Sequence, residues 1–137
     1  MTSKVAYKGA LRTECTHLQS GSGIETDAPV DNHGKGERFS PTDLMATSLG
    51  TCMLTVMGIK AESMGVKLDG MEVEVEKIMK ADPRRVGGIN LFFKIPESLQ
   101  SADEKTTKIL KHTAETCPVQ HSIHPDIEVN IHWGSWT

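Results

Sequence analysis

The chain has 137 residues and a formal net charge of −3, with 15 Lys and Arg scattered among 18 Asp and Glu. That length fits one domain spanning 1–137, and the absence of a basic stripe argues against a nucleic-acid partner. The N-terminal stretch MTSKVAYKGALRTEC has no uninterrupted apolar run of the secretory kind, so a cytoplasmic location is expected. Three cysteines, an odd number in a reducing compartment, do not make a structural disulfide framework. Metal binding, redox chemistry and plain packing remain as their uses.

In chain order, Val5, Tyr7, Leu11 and Cys15 alternate with Lys8, Arg12 and Glu14, the period of an antiparallel edge strand, and Ile24 to Asp27 can pair back onto it. Between them, Ser20 to Gly36 is rich in Gly, Ser, Asp, Asn and Pro and reads as a surface excursion. Ser40-Pro41-Thr42-Asp43 then announces a helix: a capping hydroxyl, a proline whose missing N–H costs nothing in the first turn, and a carboxylate at the capping-box position. Met45, Leu49, Cys52 and Val56 fall on one face of it, but Leu44, Met53, Leu54, Met57 and Ile59 make the other faces apolar too. Leu44 to Ile59 is shorter than the roughly 20 apolar residues a bilayer span needs and contains several hydroxyls and glycines, so burial within protein is expected.

After Gly65 the period changes to two. Met71, Val73 and Val75 alternate with Glu72, Glu74 and Glu76, and Ile89, Leu91, Phe93 and Ile95 follow Asp82-Pro83, which predicts a hairpin with a solvated acidic face. A second helix is expected from near Ser101, carrying Thr106, Ile109, Leu110, Thr113, Ala114 and Cys117 inward until Pro118. Ile127, Val129, Ile131 and Trp133 alternate as a last strand able to join the hairpin in a mixed or antiparallel sheet. The fold class is α+β.

Three cysteines sit in three settings. Cys52, mid-helix on the face of Met45, Leu49 and Val56, reads by itself first as a small hydrophobe filling core space, ahead of any reactive role. Cys117, directly before Pro118, is placed to cap a short helix from Pro118 to Ile123, whose free N–H groups favour a thiolate. Cys15, between Glu14 and Thr16 in a strand, reads as packing or surface.

FSPTDLMATSLGTC resembles the helix of the OsmC/Ohr family, which opens on a proline and delivers a reactive cysteine, as Pro41 and Cys52 do here. ETCPVQHSIHPDIEVNI is similar to that family's second motif, a Cys-Pro-Val turn before a short helix and a final strand. The resemblance runs from about Tyr7 to Trp133. It implies an OsmC-like fold of two antiparallel sheets wrapped around central buried helices in an intertwined homodimer, and a second copy would cover the all-round apolar helix. It also implies an enzyme that reduces organic hydroperoxides through Cys52, with Cys117 closing a disulfide that an external dithiol, a lipoyl protein or similar carrier, reopens; no metal or other cofactor is required.

A mid-helix thiolate needs a nearby cation. By the resemblance that cation is Arg12 on the first strand, with Arg38 as the reserve. Where the hydroperoxide-resistance branch has a glutamate after the proline, this chain has Thr42, and Asp43 is the nearest acid able to hold the arginine, although capping already explains it. Two rival readings come from other classes. His112, Cys117, His121 and His124 could ligate a metal, although Pro118 and Pro125 interrupt the segment and the spacings fit no standard zinc motif. Alternatively the cysteines only pack, and a non-catalytic OsmC-like module uses Met45, Met53, Met57 and Met64 to line an apolar ligand site.

Overall fold

The computed structural model describes all of residues 1–137, and its contacts group the chain into two compact units, Met1–Met45 and Ala46–Thr137. The first contains strands β1 (Ser3–Gly9), β2 (Arg12–His17) and β3 (Gly23–Asp27), an antiparallel sheet in the order β1-β2-β3. The alternation that predicted one edge strand is therefore split between two. Chain reversal occurs at Ala10-Leu11, both at positive φ (52° and 62°), the backbone a two-residue hairpin loop with the right twist demands even without Asn or Gly in both positions. Ile24–Asp27 pairs with β2, so β2 is the central strand and β1 and β3 are the edges.

This unit contributes nothing to the buried hydrophobic core. Val5, Tyr7, Leu11, Leu18, Ile24, Val30 and Phe39 are all exposed, and its buried residues are the polar Thr26, Asp27 and Ser40.

Helix α1 (Pro41–Ser63) carries the chain out of the first unit and into the second. It starts as the sequence predicts: the Ser40 backbone N–H donates to Asp43 Oδ2 at 2.9 Å and the Asp43 N–H donates to Ser40 Oγ at 3.0 Å, a reciprocal capping box. The helix outruns the uncharged stretch, passing Lys60 and Glu62 to reach 23 residues, a length that would reach across a bilayer, yet its apolar stripe is packed inside protein. That stripe is Ala46, Leu49, Gly50, Met53, Met57 and Ala61. It is not the face expected from Met45, Leu49, Cys52 and Val56: Met45 is exposed, and Cys52 and Val56 sit half-buried on the margin. Gly50 marks the closest approach to the sheet, since a Cβ there would lie 2.9 Å from Val75 Cγ2 and 3.2 Å from Val73 Cγ1.

Strands β4 (Glu72–Lys80) and β5 (Arg85–Lys94) form the predicted antiparallel hairpin, with the glutamates outward and Val73, Val75, Ile89, Leu91 and Phe93 inward. The last strand, β6 (Glu128–His132), joins β5 in parallel, so this sheet is mixed; of the two sheets that the resemblance makes antiparallel, only the first is. Parallel pairing requires a return crossover, and the crossover holds α2 (Glu97–Gln100), α3 (Glu104–Glu115) and α4 (Pro118–Ser122). The predicted helix start at Ser101 moves: Ser101 closes α2, and Asp103 caps α3 by accepting the Thr106 N–H at 2.8 Å. A carboxylate two residues nearer the helix outcompetes the serine for the same free N–H groups. Leu110 and Ala114 of α3 are fully buried in the core with Leu49, Met53, Met57, Ile89 and Leu91. The C-terminus folds back through Trp136, whose indole N–H donates to Leu99 O at 2.9 Å inside the protein.

Candidate active site

Cys52 and Cys117 belong to the same unit, one on α1 and the other just ahead of α4, and their thiols interact. Cys52 is half-buried, whereas Cys117 is only 1 % exposed. Pro118 creates the second setting. It cannot continue a preceding helix, but it fits the first position of a new one, so the chain turns at Thr116-Cys117 and restarts. Cys117 thereby becomes the N-cap of α4, its sulfur accepting the Gln120 backbone N–H at 3.4 Å.

The capping position was predicted, and its N–H groups do favour the thiolate, but burial outweighs them. Burial pushes the Cys117 thiol up from its ordinary pKa, and interaction with Cys52 pushes the same way, against the opposing N–H groups of Gln120 and Val119. A single helical turn supplies too little dipole to overcome desolvation. Cys117 is thus held as a neutral thiol beside the more accessible Cys52.

The first unit places Arg12 at the start of β2, directly across from Asp27 of β3. The guanidinium donates to both carboxylate oxygens, Nε to Oδ1 at 2.7 Å and Nη2 to Oδ2 at 2.8 Å, and Nη2 also reaches Glu37 Oε2 at 3.0 Å. The Glu37 backbone N–H donates to Asp27 Oδ2 at 3.2 Å, tying the loop to the same carboxylate. Arg12 holds the Asp27 carboxyl below its usual range, and Asp27 with Glu37 raises the guanidinium above its own. Asp27 and Glu37 were not singled out from the sequence, although a β2–β3 hairpin register would have put Asp27 opposite Arg12.

Asp43 is engaged in the capping box described above. The reserve cation, Arg38, pairs with Glu25 at 2.9 Å on the surface and donates to Glu37 O at 3.0 Å. Cys15 lies in the middle strand between Val5 and Ile24. His112, Cys117, His121 and His124 are not gathered: no group of three or more His, Cys, Asp or Glu is arranged to hold a metal ion.

Against this geometry the chain is similar to several known proteins. A structure from Psychrobacter arcticus, provisionally named an osmotic stress induced and detoxification response protein, is 54 % identical, covers 97 % of this chain and 95 % of its own, and superposes with a TM-score of 0.92. An organic hydroperoxide resistance protein OsmC from Legionella pneumophila shares the fold at 18 % identity, TM-score 0.72, over 97 % of this chain and 96 % of its own. The organic hydroperoxide resistance protein OhrB of Bacillus subtilis does so at 18 % identity and TM-score 0.66, over 97 % and 98 %. No curated protein sequence matches the chain. The family model for OsmC-like proteins matches residues 34–132, which include α1, both motif cysteines and the whole second sheet, and so the chain belongs to the OsmC-like protein family.

Proposed function

We propose that this chain is a thiol-dependent peroxidase acting on organic hydroperoxides. The observation that carries the reading is the interacting pair of unequal thiols, one half-exposed on α1 and the other buried and kept protonated at the cap of α4. The Cys52 thiolate attacks the terminal oxygen of ROOH; the O–O bond breaks, RO⁻ leaves and is protonated to the alcohol, and Cys52 is oxidised to a sulfenic acid. Cys117 then attacks the Cys52 sulfur, its proton leaves with the hydroxyl as water, and a Cys52–Cys117 disulfide remains. An external dithiol, a lipoyl group on a protein or a similar carrier, reduces that bond by exchange.

Arg12 has in this reading the role that the family pattern gives the strand arginine, supplying positive charge for the thiolate. Its two-pronged bond to Asp27 supports the assignment, because a guanidinium in fixed orientation loses little freedom when it acts. Asp43 is assigned to holding the start of the helix that bears Cys52. The exposed apolar residues of the first unit support a homodimer, since Val5, Tyr7, Ile24 and Phe39 need a partner's surface to leave water. A cytoplasmic setting fits a cycle that needs reduced thiols.

The test is direct. Substoichiometric cumene hydroperoxide should join Cys52 to Cys117 within one chain, seen as one cross-linked peptide by mass spectrometry, and Cys52→Ser should abolish peroxide consumption. Full activity in Cys52→Ser would end the reading.

A further inference from the structure

The two thiols of the pair differ in how their sulfurs can be reached. Cys117 is 1 % exposed, in the same filled interior as Leu49, Met53, Leu110 and Ala114, and its Sγ already accepts the Gln120 backbone N–H at 3.4 Å. Cys52 lies on α1 at the margin of that interior, half-buried, with part of its surface open to water. Both belong to the same compact unit. A thiolate attacks a disulfide along the S–S axis, bonding to one sulfur from the side opposite the other. Attack on Cys117 would need a path through packed hydrocarbon, whereas attack on Cys52 comes from the side of the pair that meets solvent.

We propose that the external dithiol opens the Cys52–Cys117 disulfide at Cys52, so that the carrier becomes joined to Cys52 and Cys117 is the sulfur released. The inference rests on the peroxidase reading and deepens its reductive half. The incoming thiolate bonds to Cys52 Sγ as the S–S bond breaks, and the electron pair stays on Cys117, which takes a proton from water and returns to the thiol. The carrier's second thiol, having lost its proton to water, then attacks the carrier's first sulfur, expelling Cys52 as thiolate and closing the carrier's own disulfide. One disulfide has been reduced and one dithiol oxidised. Two effects oppose each other at Cys117. Its raised pKa makes it the slower leaving group, and the Gln120 N–H, already in place where the charge arrives, offsets part of that. Neither redirects the attack, because a sulfur enclosed by protein is not reached from outside however well its partner would leave.

Diamide, which oxidises paired thiols without any hydroperoxide, makes the disulfide, and excess mercaptoethanol then serves as the probe, a monothiol that forms the mixed disulfide but cannot close a ring. After an acid quench that halts exchange, peptic peptides are read for the adduct by mass spectrometry. The Cys52 peptide should carry it in more than about tenfold excess over the Cys117 peptide. When the oxidised protein is unfolded in urea before the thiol is added, both sulfurs are exposed and the excess should fall to within about threefold. An adduct on Cys117, an even division in the folded protein, or an excess that persists in urea would each overturn the inference. So would failure of diamide to join the two thiols, since there would be no bond to open. Failure of the peroxidase reading is distinguishable: there hydroperoxide would leave Cys52 unoxidised, while the disulfide made by diamide would still report which sulfur is attacked.

Discussion

The two compact units are built on opposite principles. Ala46–Thr137 has a packed interior in which Leu49, Met53, Met57, Ile89, Leu91 and Leu110 are fully buried, with Cys117 inside that hydrocarbon and Cys52 half-buried at its margin. Met1–Met45 buries no hydrophobic side chain and is ordered instead by a sheet ladder and an arginine clamped by Asp27 and Glu37. The difference teaches that one region is held by a filled interior and the other by backbone pairing and charge, with its apolar side chains left exposed.

The largest effect should come from the thiols. Cys117→Ser should still consume one equivalent of hydroperoxide and then stop, a loss of more than about 100-fold in multiple-turnover assays, with the Cys52 sulfenic acid trapped by a dimedone-type reagent. If Cys117→Ser cycles like the parent, the pairing of the thiols is not part of catalysis.

Next comes the charge. Arg12→Gln should slow Cys52 oxidation by about 10- to 100-fold while leaving Cys117 as buried as before. Glu37→Gln should act in the opposite direction, by about two- to fivefold, because Arg12 with two carboxylates carries net charge −1 and the exposed one is the easier to remove. Unchanged oxidation rates in both variants would separate the first region from the chemistry altogether.

Stability should divide the same way. Leu49→Ala should cost about 2–5 kcal/mol in urea unfolding because it leaves a cavity in a filled interior. Val5→Ser, at 62 % exposure, should change unfolding of the single chain by less than about 0.5 kcal/mol and show instead as weakened subunit association in analytical ultracentrifugation. Acid should find the first region. The depressed Asp27 pKa contributes stability that is present above the ordinary carboxylate range and lost as pH falls through the lowered value, so Asp27→Asn should flatten the acid limb of a melting-temperature profile. Alkali should find the second. The raised Cys117 pKa contributes stability that is complete below the ordinary thiol range and fades as pH rises through the raised value, a slope that Cys117→Ala should remove.

The smallest effect is at the hairpin tip. Replacing Ala10-Leu11 by Asn-Gly should stabilise the β1–β2 ladder by about 0.5–2 kcal/mol, since these residues hold positive φ more readily.

Much of this architecture could be read from the residues because local chemistry decides it. Ser40-Pro41-Thr42-Asp43 can hardly do other than start a helix, the alternating β4 segment separates its own faces, and Pro118 dictates the break at Thr116-Cys117. What stayed hidden depends on contacts far apart in the chain. An evenly apolar α1 does not announce which stripe meets the sheet; that is settled by Gly50 meeting Val73 and Val75. Asp27 and Glu37 become partners of Arg12 only once a hairpin register and a loop return are known, and the raised pKa of Cys117 follows from tertiary burial that no cap motif encodes.

The direction of β6 has one more consequence. Because the strand lies parallel to β5, the turn bearing Cys117 is part of a crossover that is closed only by β6, a segment synthesised after it. A nascent chain therefore has both sulfurs before it has the strand that closes the crossover, and such late, distant pairing is the slow part of folding. Burial of Cys117 is therefore a late event by topology: until β6 pairs with β5, the crossover that carries this thiol is fixed to the sheet at one end only.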